Sequence, residues 1–213
     1  MKGEALMYDF GHGEVAAYKW INVDGQEGGI VAESATVADS AIIGEGAVIS
    51  PGAIIGDDAS IGDRAVIGDR AVIGYRASIG DGASIGDRAV IGDGAVIGDR
   101  AVIGYRASIG DGASIGDRAS IGDRVVLGDG SSIGDGASIG RWASIGRWAI
   151  IGDGASIGDR ASIGAYARIG EEATISYRAL VAAARRSGRQ FTAASMDFAG
   201  GWAVSAASAQ KHC

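Results

Sequence analysis

The stretch ASIGDRAVIGDRAVIGYRASIGDG, residues 59–82, is one hexapeptide written four times end to end. Stepping outward from it by six, the phase runs from Val31 through Val37, Ile43 and Ile49 to Ile175 and Val181. These 26 stops are 22 Ile, 3 Val and Leu127, with no insertion or deletion across 151 residues. Ala stands two residues before the stop in 23 of the 26 copies, the exceptions being Gly29, Val125 and Ser131. Gly follows the stop in 21. The unit reads A-[SV]-I-G-D-[RG].

A period of six does not suit an α-helix, because at 3.6 residues per turn the isoleucines would spiral over every face. It suits a short strand followed by a corner. In Ala-Ser-Ile the outer two residues point one way and the middle one the other. Gly then opens a bend, and Asp-Arg or Asp-Gly carries the chain around it. One hexapeptide cannot bury its own isoleucine, but stacked copies bury a continuous column. The sequence therefore predicts an all-β solenoid.

The rest of the composition narrows the classes. The chain has 213 residues, 38 of them Gly, with 1 Pro, 1 Cys and 2 His, and a net charge of −7. Abundant, evenly spread Ile, Val and Ala exclude a disordered chain. Collagen is excluded by the absence of a three-residue glycine period. One Cys excludes a disulfide framework, and one Cys with two His excludes an ordinary zinc site. No run approaches the 18 apolar residues of a membrane span, and MKGEALMYDF lacks the apolar centre of a secretory signal. The expected location is the cytoplasm or a phage particle, with no membrane partner. The acidic balance argues against nucleic acid as a partner.

The aliphatic-Gly-x-x-small-x repeat resembles the bacterial transferase hexapeptide family. The resemblance covers residues 31–181 and implies a single-stranded, left-handed parallel β-helix. It further implies a triangular coil of three hexapeptides, 18 residues, and hence eight to nine coils for 26 repeats. At ~4.8 Å per coil the rod would be roughly 40 Å long. The family resemblance also implies a homotrimer of parallel prisms. A second resemblance, carried by GGIVAESATVADSAIIGEGAVI (28–49) and FTAASMDFAGGWAV (191–204), is to phage and prophage hexapeptide proteins.

Residues 1–30 are off phase, and WINVDGQEGG at 20–29 reads as a strand and turn, expected to cap the first coil. Residues 182–213 are expected to form a C-terminal cap. There YRALVAAARRSG (177–188) has helical composition with Gly188 as its stop, and a hairpin is expected around Gly200-Gly201.

Many members of the family are acyltransferases that use coenzyme A or acyl carrier protein, with a histidine base and a protruding loop. Its carbonic anhydrases hold zinc with three histidines. A base must reach the proton that it abstracts. Here no histidine occurs between His12 and His212, and the unbroken phase leaves no loop. The corner aspartates are expected to be ionised, weakly basic and bonded to corner amides. The main expectation is therefore a non-catalytic structural or adaptor solenoid without cofactor or metal, acting through flat faces on itself or on a protein partner. An acyltransferase-like protein with a noncanonical site is the alternative, and a polymer-binding or ice-binding face is a third reading.

Placed on 18-residue coils, one corner collects Arg70, Arg88, Arg106, Arg124, Arg160 and Arg178, interrupted by Trp142 and flanked by Tyr105 and Tyr177. A second carries an unbroken acidic column from Glu45 to Glu171, with weak affinity for divalent cations as one reading. The third mixes Asp93, Asp111 and Asp129 with Tyr75, Trp148 and Tyr166. Neighbouring pairs such as Asp69-Arg70 are expected to neutralise each other. The arginine corner, with Trp142 and Trp148, is the candidate partner-binding surface for an anionic polymer. Of the outward positions, Ile54, Val72, Val90, Val126 and Leu180 lie on one face, and Ser84, Ser120, Ser138, Ser156 and Thr174 on another.

This inside–outside assignment has a direct check by chemical denaturation. Ile103→Ala is expected to cost about 2–5 kcal/mol, and replacing Arg106 in the adjoining corner far less. Equal costs would mean the faces are assigned wrongly.

Overall fold

The computed structural model describes residues 1–182, 195–197 and 201–203. Strands β1 (Lys2–Asp9), β2 (Glu14–Ile21) and β3 (Glu27–Ala32) form an antiparallel meander. From Thr36–Val37 to Leu180–Val181 a two-residue strand then recurs every six residues. Together with β3 these make the 26 rungs of the repeat, shared among three parallel sheets. The first face runs from β3 through Val48–Ile49 to Thr174–Ile175, and the second from Thr36–Val37 to Leu180–Val181. The third runs from Ile42–Ile43 to Arg168–Ile169. Each residue pairs with the one 18 positions on, as Ser84 with Val102 and Ile85 with Ile103, so three hexapeptides make a coil.

The repeat letters divide as strand alternation demands. Ile103 is 1% exposed and Ala101 fully buried, while Val102 between them is 49% exposed. Ile and Ala from every coil stack into one dry column along the axis. Across each coil interface the backbone is bonded densely. Val90 N–H donates to Ala107 O (2.9 Å), Gly92 N–H to Ile109 O (2.9 Å), and Arg100 N–H to Asp81 O (2.8 Å).

The corner aspartate completes this set in a way the sequence reading only half anticipates. Its carboxylate accepts not from its own turn but from the amide 18 residues earlier. Asp99 Oδ1 takes Asp81 N–H at 2.9 Å, and Asp117 Oδ1 takes Asp99 N–H at 2.9 Å. The glycine of the motif makes room for it. A Cβ on Gly98 would stand 2.5 Å from Asp117 Oδ1 and 2.6 Å from Asp117 N.

From Gly46 to Arg178 the last corner position is left-handed in every copy of the repeat. Glycine takes it in some coils, but fifteen non-glycine residues sit there at φ between 54° and 63°, ten of them arginine. For an L-residue that conformation costs about 1–2 kcal/mol.

The first coil has no coil below it, and the meander supplies what is missing. Asn22 is buried and stands where a neighbouring strand would be. Its Nδ2 donates to Ile43 O at 3.0 Å and its Oδ1 accepts from Ile43 N–H at 2.9 Å. Trp20 (2% exposed), Tyr18 and Ala17 pack on the end of the core. Burial there pushes the Tyr18 hydroxyl pKa up, and the Glu33 charge adds to the shift.

At the other end, the helix expected over 177–188 is not formed in its described part. Residues 177–182 are a corner and the last rung, because Ala179 and Val181 keep the repeat phase and fill the core. Residues 183–188 lie outside the described residues. Of the hairpin expected around Gly200-Gly201, the two strands are described, Ser195–Asp197 pairing antiparallel with Gly201–Ala203.

Two substitutions separate these contributions in thermal melts. Asn22→Ala strands a buried amide and carbonyl and is expected to cost about 1–3 kcal/mol. Asp99→Asn keeps an acceptor oxygen for Asp81 N–H and relieves like-charge repulsion. It is expected to leave stability unchanged or higher, whereas Asp99→Ala loses about 1 kcal/mol.

Candidate functional site

The three faces meet in three edges, and each edge has its own chemistry. Between the first and second faces runs an arginine edge of seven successive corners: Asp69-Arg70, Asp87-Arg88, Tyr105-Arg106, Asp123-Arg124, Arg141-Trp142, Asp159-Arg160 and Tyr177-Arg178. Seven arginines there face four aspartates, a balance of +3. Between the third and first faces lies an acidic edge from Glu45 to Glu172, where nine carboxylates face Arg64, Arg100 and Arg118. The mixed edge between second and third faces carries Tyr75-Arg76, Asp93-Gly94 and Arg147-Trp148 among others. Trp148 therefore stands on a different edge from Arg70, Arg88, Arg106, Arg124, Trp142, Arg160 and Arg178. It is 56% exposed and lies over Gly130, where any Cβ would strike its ring.

On the arginine edge the side chains of successive coils touch. Arg88 Nη1 donates to Tyr105 Oη at 3.3 Å, and the Arg106 guanidinium lies 4.9 Å from the Tyr105 ring centre. The Arg124 guanidinium sits between two rings, 5.9 Å from Tyr105 and 4.4 Å from Trp142. Two coils on, Arg160 Nη1 donates to Tyr177 Oη at 3.3 Å and Arg178 lies 5.0 Å from the same ring. Cations held over aromatic faces gain about 0.5–1 kcal/mol each when exposed. The tyrosines, which the sequence reading places beside the arginine column, are the parts that organise it.

Neighbouring Asp and Arg do not neutralise each other as the sequence suggests. Among the described residues the ion pairs within 4 Å are Lys19–Glu27, Arg76–Asp58 and Arg141–Asp123, and none is within one corner. Most corner aspartates reach toward the preceding coil for an amide, as Asp87 does for Asp69 N–H and Asp123 for Tyr105 N–H, while Asp69 faces Pro51, which has no N–H to give. The left-handed arginine after it points elsewhere.

No grouping of His, Cys, Asp and Glu among the described residues is arranged to hold a metal ion. A shallow charged trough follows the acidic edge past Asp63, Asp81, Asp99 and Arg118. His12 is exposed in the β1–β2 turn, outside the repeats. In that turn Asp9 accepts from Gly11 and Gly13 N–H at 2.7 and 2.9 Å, which holds its pKa below the ordinary value. No helix of the described residues is long and apolar enough to cross a membrane.

The outward strand positions are distributed along the rod more than between its faces. From Ile42 to Val102, eight of eleven are aliphatic; from Ser108 to Thr174, only Val126 and Ile150 of twelve are. The first face carries Val48, Val66 and Val102 as well as its serines.

These features define a class, the parallel β-solenoid with three flat faces and an 18-residue coil. Within it the chain is similar in fold to solved hexapeptide-repeat proteins, which are left-handed parallel β-helices. The family model described as the GMPPB C-terminal domain matches residues 53–139, fewer than half of the chain. The LpxA structure from Acinetobacter baumannii is 18% identical, with a TM-score of 0.50, over 78% of this chain and 70% of that one. A UDP-N-acetylglucosamine acyltransferase from Francisella novicida is 28% identical with a TM-score of 0.46, over 78% of this chain and 67% of its own. A GDP-perosamine N-acetyltransferase from Caulobacter crescentus is 25% identical with a TM-score of 0.43, and the chain spans 54% of its length. No curated protein matches in sequence.

Tryptophan exposure offers a check on the edges. In a Trp202→Phe background, acrylamide is expected to quench Trp142 (51% exposed) and Trp148 readily and to spare Trp20. Uniform quenching of all three would contradict the placement.

Proposed function

We propose that this chain is a rigid, non-catalytic rod that self-associates through the aliphatic half of its flat faces. The observation that carries this reading is the unbroken register of 18 residues from the first rung to the last. A lone rod of this kind raises no wall beside a face, because its repeats carry no insertion. An enzyme site also needs a base, and no histidine lies between His12 and His212. Smooth faces with exposed aliphatic rows favour lateral packing. On the second face, Ile54, Val72 and Val90 form three such rungs in succession. A second copy of the chain is the partner that presents matching flat rows.

One finding favours a second reading. The solved structures similar in fold include sugar acyltransferases, which supports an acyltransferase-like protein better than a passive rod. Such an activity would need a base other than histidine within the coils. Saturable binding of coenzyme A, measured by calorimetry, would put this reading first.

Light scattering tests the main proposal. The native mass is expected to be a multiple of the 21.3 kDa chain. The pair Ile54→Lys and Val90→Lys is expected to shift it to one chain, while Ser144→Lys in the hydroxyl half leaves it unchanged. A wild-type monomer would overturn the proposal.

A further inference from the structure

The left-handed corner position can be filled by glycine without harm to the fold. The acidic edge mixes Gly46, Gly82, Gly136 and Gly154 there with Arg64, Arg100, Arg118 and Glu172, the mixed edge sets Gly94, Gly112 and Gly130 among side chains, and the arginine edge itself takes Gly52 before Arg70. Along the arginine edge, seven consecutive corners instead hold Arg70, Arg88, Arg106, Arg124, Trp142, Arg160 and Arg178 at φ of 55–62°. Strain kept at a position that tolerates relief points to a use for the side chain. These side chains are also pre-ordered. The rings of Tyr105, Trp142 and Tyr177 hold Arg106, Arg124 and Arg178 in place, so less rotamer freedom remains to be lost on binding.

The spacing and charge narrow the ligand. Successive corners are one strand spacing apart, ~4.8 Å, so the edge extends roughly 29 Å from Arg70 to Arg178. A pyranose in an extended β-linked chain advances by nearly one such step. The aromatic corners at Tyr105, Trp142 and Tyr177 recur every second coil, and between them stand Asp123-Arg124 and Asp159-Arg160. That alternation of ring with acceptor-plus-donor suits a polyol, whose hydroxyls donate to carboxylates and accept from guanidiniums. A phosphodiester backbone of DNA type has no hydroxyl to donate to the aspartates in four of the seven corners, whereas a polysaccharide does. The net +3 of this edge, on a chain of −7, selects an anionic polymer.

We propose that the arginine edge binds an extended, β-linked acidic polysaccharide, with guanidiniums taking its carboxylates and Trp142 stacking on a sugar face. This goes beyond the self-associating rod and does not depend on it.

The test uses the full chain and mannuronate-rich alginate, a β-linked polyuronate, in calorimetry. Poly(dT) and a neutral β-linked glucan are the comparison polymers. The variants Arg106→Gly/Arg124→Gly and Trp142→Gly place glycine where the backbone is already left-handed, and their circular dichroism and melting confirm folding. Arg64→Gly/Arg100→Gly makes the same charge change on the acidic edge. The expected result is saturable alginate binding, weakened tenfold or more by the arginine-edge pair and by Trp142→Gly, and less than twofold by the acidic-edge pair. Poly(dT) and the neutral glucan should bind more weakly than alginate. Absence of alginate binding, equal losses on both edges, or equal or tighter binding of either comparison polymer would overturn the proposal. Scattering masses of the same variants keep this result separate from the assembly question.

Discussion

Registry between coils is the constraint from which the other features follow. Each 18-residue turn must land so that isoleucine meets isoleucine inside and amide meets acceptor at the corner, and a slip by one residue would invert every side chain. The Ile-Gly-Asp core of the motif meets this demand with three linked parts. Isoleucine fills the column, glycine leaves space, and the aspartate of the following coil enters that space to take the amide beside it. The glycine is needed even where no aspartate follows, since a Cβ on Gly86 would stand 2.8 Å from Tyr105 N.

Most of the architecture is written openly in the sequence because the repeat has no exceptions of phase. Counting by six locates the rungs, and strand alternation separates Ile103 and Ala101 from Val102. The direction of the aspartate hydrogen bond is less legible. Sequence neighbours suggest an Asp87–Arg88 pair, yet the Asp87 carboxylate takes the amide of Asp69, 18 residues away and visible only once the coil closes. The capping role of Asn22 is hidden for the same reason, since nothing local marks a polar side chain as the substitute for a missing strand. At the C-terminal end, helical composition in Tyr177–Val181 loses to the chance to bury Ala179 and Val181. Tertiary packing outweighs weak local preference there.

The candidate site was legible in outline and not in mechanism. The arginine column can be counted from the sequence, as can the tyrosines beside it. What the count does not give is the order among them: Arg124 between two rings, Arg88 and Arg160 tethered to tyrosine hydroxyls. Counting by 18 also puts Trp148 in the third corner, so its grouping with the arginines as one binding surface does not follow from the count. The backbone adds the most telling detail, a left-handed conformation that glycine would take freely and arginine takes at a cost.

The double periodicity has an evolutionary corollary. Gain or loss of a whole turn would lengthen or shorten the rod and leave every stripe aligned. Gain or loss of a single hexapeptide would preserve the core equally well, but rotate everything downstream by a third of a revolution and splice a cationic stripe onto an acidic one. Stability alone would accept both kinds of event. The continuous stripes of this molecule are thus a record of growth by full revolutions, or of selection on its exterior.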